Sequence, residues 1–173
     1  GVLTVEPVER DFFRGPATPQ GKGRSFGGQV IGQALMAATC TVPQDRPVHS
    51  LHGYFIRPGD ATAPVLYQVE RDRDGGSFTT RRVVAVQNGR AALNLSVSFQ
   101  IDEEGFEHQD QAPDVPGPDG IPSERENILK VADRIPEPIR TKLLCPKPIE
   151  VRPINPMNPF SPQKKAPLKH CWF

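Results

Sequence analysis

The chain has 173 residues, with 21 Lys and Arg against 20 Asp and Glu and a net charge of +1. That balance supplies no field to gather nucleic acid or an anionic membrane surface, so neither is expected as a partner. No apolar run approaches the roughly 20 residues that cross a bilayer, and Gly1 to Glu6 has neither the basic nor the apolar part of a signal peptide, so a soluble, cytoplasmic protein is expected.

Other classes fall away on motif grounds. Cys40, Cys145 and Cys171 are odd in number and far apart, without His or Cys at ligand spacing. Reduced thiols are expected, with no metal site and no disulfide framework. No Gly-rich loop ends in Lys-Ser or Lys-Thr, and Ser77 does not sit in a G-x-S-x-G elbow, so nucleotide hydrolysis and serine hydrolysis are unsupported and no cofactor is called for. The first residue is Gly rather than Met. A processed or partial sequence is the expectation.

In chain order, a strand is predicted around Asp11-Phe12-Phe13-Arg14. A helix apolar on nearly every side follows in Phe26 to Ala38, and Gly28 to Thr39 are expected to form the central helix of the domain. Such a helix is expected to be buried. Gly28 and Gly32 share a face of it, and Gly32 is expected to be nearly inaccessible against a close neighbour. Strands are predicted over 49–56, 64–71, 77–87 and 90–100, each with alternating or apolar character. Asn88-Gly89 joins the last two as a type I′ hairpin turn, and Asp74-Gly75-Gly76 reads as another turn. One apolar helix followed by an antiparallel meander defines an α+β domain over residues 1–101.

The composition then changes. Thirteen of the twenty prolines follow residue 112. Residues 102–167 are expected to form a Pro-rich linker, with a short helix near 124–134 announced by the capping-box spacing Ser123-Glu124-Arg125-Glu126. Residues 168–173 turn apolar again, as a new strand would, and an end at Trp172-Phe173 suggests that a second folded unit followed in the parent sequence.

Chemistry-bearing candidates are few. Gly27 and Gly28 at the helix start offer free backbone N–H groups to a carbonyl or phosphate oxygen, or serve only as a tight entry to the helix. Gln29 and Gln33 are the only polar residues in the middle of the helix, placed to touch a ligand or to satisfy backbone groups. Strand alternation puts His49 and His52 on opposite faces, which excludes a shared metal. His49 falls with Leu51, Gly53 and Phe55 and is expected to look toward the helix, as a general base or as a structural histidine. Arg71, Arg73, Arg81 and Arg82 read as a solvated sheet face or as holders of a ligand phosphate.

Several segments together resemble a known family. Arg10 to Gly15, Phe26 to Leu35, Val48 to Asp60, Arg73 to Val83, Gln87-Asn88-Gly89, Gly105 to Gln109 and Ile149 to Pro153 are similar, in order, to the N-terminal half of type II acyl-CoA thioesterases, the bacterial members above all. The resemblance implies a double-hotdog enzyme, two units each of a long helix wrapped by an antiparallel sheet, that hydrolyses fatty acyl-CoA to free acid and CoA. It implies acyl-CoA as substrate, pairing with a second hotdog unit, homo-oligomers, and a peroxisomal setting for a eukaryotic member. The family's water-activating Asp, Ser or Thr, and Gln lie in the second hotdog, so none is carried over to residues 1–173. For this chain the resemblance leaves His49 as the catalytic candidate and Gly27, Gly28 and Gln29 as substrate-binding candidates. The opposing expectation is a non-catalytic hotdog module that binds acyl-CoA or a partner chain.

Overall fold

The computed structural model describes residues 1–18, 22–147, 149–158 and 160–173. Strands β1 (Glu6–Glu9) and β2 (Phe12–Gly15) come first, then helix α1 (Gly27–Thr39) and strands β3 (Val48–Phe55), β4 (Val65–Asp74), β5 (Phe78–Gln87) and β6 (Arg90–Gln100). The six strands form one sheet in the order β1-β2-β4-β5-β6-β3, every pairing antiparallel. Alternation decides which side meets the helix. Val65, Tyr67 and Val69 of β4, Val83 and Ala85 of β5, and Leu93, Leu95, Val97 and Phe99 of β6 are buried on one face, against Val30, Ala34, Ala37 and Ala38 of α1. This is the hotdog arrangement, a helix wrapped by an antiparallel sheet, within the compact unit Gly1–Phe106.

The hairpin between β5 and β6 follows from its turn residues. Asn88 and Gly89 have φ of 50° and 70°, as a type I′ turn requires at both central positions. The start of β3 departs from the simple pattern. Its register shifts between Val48 and Ser50, so that Val48 pairs with Phe99 while Ser50 pairs with Ser98. His49 is the extra residue of that bulge.

Helix α1 is close to its expected span, but its neighbours differ from expectation at Gly32. That glycine is only half-buried, and a Cβ there would meet nothing closer than the end of the Leu3 side chain, at 2.8 Å. The tight approach lies instead at Gly15, where a Cβ would stand 2.8 Å from the Tyr67 ring and against the Gln33 amide.

The second compact unit, Glu107–Phe173, holds helices α2 (Glu124–Leu129) and α3 (Ile139–Leu144), a 3-10 turn at Ala132–Arg134, and strands β7 (Arg152–Ile154) and β8 (His170–Trp172), which pair antiparallel. Ser123 caps α2 through a full capping box: its hydroxyl accepts from the Glu126 N–H, and the Glu126 carboxylate accepts from the Ser123 N–H. Those bonds hold the Glu126 carboxyl below the usual carboxylate range. No described helix is long and apolar enough to cross a membrane.

Candidate functional site

Helix α1 begins without a capping side chain and without an acidic residue in its first turn. The Gln29 and Val30 N–H groups bond the Phe26 carbonyl, which leaves those of Gly27 and Gly28 to solvent or to a ligand. Beside them opens a cavity of about 330 Å³, whose wall includes Arg24, Gly27, Val30, Phe55, Arg57 and Gln87. A Cβ on Gly27 would stand 2.8 Å from the tip of the exposed Phe55 ring, which would have to swing aside. The loop over the cavity is fastened by Gln87, which donates to the carbonyls of Asp60 and Ala63 and accepts from the Asp60 N–H at 2.8 Å. Asp60 in turn accepts from the backbone and hydroxyl of Thr62, which lowers its carboxyl below the usual range.

Gln29 and Gln33 face a different task. The Gln29 amide accepts from the Thr18 hydroxyl at 3.0 Å and donates to the Pro16 carbonyl at 3.2 Å. Gln33, fully buried, donates to the carbonyls of Val2 and Pro16 and accepts from the Tyr67 hydroxyl at 2.7 Å. Burial pushes the Tyr67 hydroxyl far above the ordinary phenol range, so it remains a donor at any working pH. The two amides tie the chain around residues 16–18 to the helix, and neither lines the cavity.

His49 requires a correction. The sequence placed it on the helix-facing side of β3, opposite to His52. The bulge turns it outward instead: its Nε2 lies 2.8 Å from the Ser98 hydroxyl, and its ring packs edge-on against Phe78 at 5.8 Å. Ser98 and Ser96 share the outer face, because Val97 and Phe99 point into the core, and His52 sits opposite Ser96. Both histidines thus occupy the outer face, away from α1. Of the four candidates, only Gly27 lines the cavity; Gly28 lies against the Phe26 ring, Gln29 on the residue 16–18 segment, and His49 on the far side of the sheet. Missed were Arg57 and Gln87, whose signals were their places beside Pro58-Gly59 and Asn88-Gly89. Among the described residues, no group of three or more His, Cys, Asp or Glu is arranged to hold a metal.

The helix, the sheet that wraps it and the open helix start define a hotdog domain. A family model described as Acyl-CoA thioesterase N-terminal domain matches residues 13–100. Acyl-CoA thioesterase 2 of Haemophilus influenzae is 39% identical over 172 residues, covering 99% of this chain and 60% of that protein. The crystal structure of an acyl-CoA thioesterase II from Mycobacterium marinum is similar with a TM-score of 0.63 and 42% identity, over 85% of this chain and 54% of that one. A protein of unknown function with a hot dog fold from Alicyclobacillus acidocaldarius, 20% identical with a TM-score of 0.62, shares the fold over 89% of this chain and 54% of its own. The chain belongs to the type II acyl-CoA thioesterase family. It spans somewhat more than half the length of these relatives.

Proposed function

We propose that this chain is the N-terminal hotdog, with its following segment, of an enzyme that hydrolyses fatty acyl-CoA to free acid and CoA. The observation that carries the reading is family membership over nearly the whole chain combined with a span of only 60% of the Haemophilus relative. Thioester hydrolysis needs a water held and deprotonated beside the carbonyl, and donors aimed at the oxyanion that develops. The N–H groups of Gly27 and Gly28, at an uncapped helix start beside a cavity, suit the second task. Among the described residues that line the cavity, no carboxylate or histidine is present for the first: the side chains are those of arginines, Ser25, Gln87 and apolar residues. The water-activating groups are assigned to a second hotdog, with which this one pairs. His49, on the outer face, is given no part in the chemistry.

A thiol-release assay with a medium- or long-chain acyl-CoA tests this. The chain alone is expected to release CoA no faster than buffer, and addition of the second half of the protein is expected to produce turnover. Turnover should survive His49→Ala. Sustained turnover by the chain alone, abolished by His49→Ala, overturns the proposal.

A further inference from the structure

A second cavity, of about 460 Å³, lies at the other end of α1, between Cys40 to Pro43 and the turn joining β4 to β5. Its volume is in the range of small-ligand sites. Three guanidinium groups line it, those of Arg46, Arg71 and Arg81, against one carboxylate, Asp74. Two of the three are answered in kind. Arg81, fully buried, bonds Asp74 at 2.6 Å and spends its other N–H groups on Thr41 and the carbonyls of Arg73 and Thr80. Arg71 grips Asp11 through Nε and Nη2, at 2.8–3.0 Å. Both also donate to the Thr41 carbonyl, just beyond the end of the helix.

Arg46 has no carboxylate. Its Nη1 donates to the Gly75 carbonyl and the Thr79 hydroxyl, each at 2.7 Å, and its Nη2 to the Gly76 carbonyl at 2.8 Å. Its Nε is the one buried side-chain nitrogen or oxygen without a partner among the described residues. A half-buried cation met only by neutral oxygens, with a donor left over, is under-compensated where pairing is the rule. The edge left short, Nε with Nη2, is the one Arg71 turns on Asp11, and that fork suits an oxyanion held by two parallel bonds.

We propose that this cavity binds a phosphate group, with Arg46 as its principal donor. Under the function proposed above, on which this identity of the ligand rests, the phosphate belongs to the nucleotide end of CoA; free inorganic phosphates share the chemistry. Calorimetric titration of the full chain with CoA, with CoA lacking its 3′-phosphate, and with inorganic pyrophosphate, at low and high salt, tests it. CoA is expected to bind in a salt-sensitive manner. Arg46→Gln should weaken binding tenfold or more, Arg46→Lys less, and Arg82→Gln on the outer face less than twofold. Because Arg46 also ties down the β4–β5 turn, thermal melting accompanies each variant, and the charge-retaining Arg46→Lys decides the matter if Arg46→Gln melts early. Pyrophosphate binding that depends on Arg46 without any binding of CoA supports the phosphate site and removes CoA as its source. Equal losses in Arg46→Gln and Arg82→Gln, or no binding of either ligand to the parent chain, overturn the proposal whatever the thiol-release assay gives.

Discussion

At Gly15 the backbone of β2 passes under the Gln33 amide and the Tyr67 ring with no space for a methyl group. Both neighbours are fully buried and bonded to each other at 2.7 Å, so neither can retreat cheaply. Gly15→Ala is therefore expected to cost about 2 kcal/mol or more, through overpacking and loss of the buried bond. Gly32→Ala should behave differently. The only atom in its way is the end of the flexible Leu3 side chain, and alanine favours a helix interior over glycine by about 1 kcal/mol. Its stability should stay within about 1 kcal/mol of the parent on either side. Urea unfolding of the two variants checks the pair, and equal losses would refute this account of where the close packing lies. Glycine spacing on a helix indicates which face lacks side chains. It does not indicate whether another element comes near that face, which depends on how the N-terminal segment returns through the Gln33 bonds to Val2 and Pro16.

At the scale of elements, one ion pair joins the β1–β2 turn to β4. Asp11, with φ of 61°, accepts three bonds from Arg71, which hold its carboxyl below the usual carboxylate range. A lowered folded pKa means that this stabilisation is present in full above the ordinary value of 3.8 and is lost as pH falls through the lower folded value. Asp11→Asn, which also tolerates positive φ, should be less stable than the parent at pH 7, with the gap closing toward pH 3 and below. Denaturant midpoints across that range measure it, and a gap independent of pH would remove Asp11 from the acid limb. The hairpin at Asn88-Gly89 was legible because only turn chemistry and alternation were needed to read it. So was the α2 cap at Ser123, a purely local pattern. Strand β1 was not legible, because all four of its residues are exposed and leave no alternation. The bulge at His49 was hidden for a related reason: an extra residue in a strand is set by the partner's register, and one inserted position carried the histidine to the other face. The candidate site suffered most from this, since its residues were chosen by local pattern and the cavity is lined by loops, the helix and four strands that meet only in the fold.

For the whole molecule, the open edge of the sheet bears on the proposed pairing. Strand β3 ends the sheet, with one row of backbone N–H and C=O groups unpaired. On its helix-facing side Leu51 lies opposite Val97 and Phe55 opposite Leu93, yet both β3 side chains are exposed, whereas their partners on β6 are buried. Met36 of α1 and Ile56 just beyond β3 are exposed as well. An edge strand with apolar residues on its inward face is normally blunted by charge or covered by another chain, and β3 carries no Lys, Arg, Asp or Glu. Within the proposed enzyme, a second hotdog would cover it by continuing the sheet. Leu51→Lys places a charge at the centre of that edge while disturbing little in the chain alone, because position 51 is already open to solvent. The variant should melt within a few degrees of the parent, since a surface change of this kind costs about 0.5 kcal/mol or less. Turnover reconstituted with the second half should nevertheless fall tenfold or more, through loss of association rather than of chemistry. Raising the concentration of the second half should recover the rate. A variant that pairs and turns over like the parent would show that β3 is not the edge at which the two halves meet.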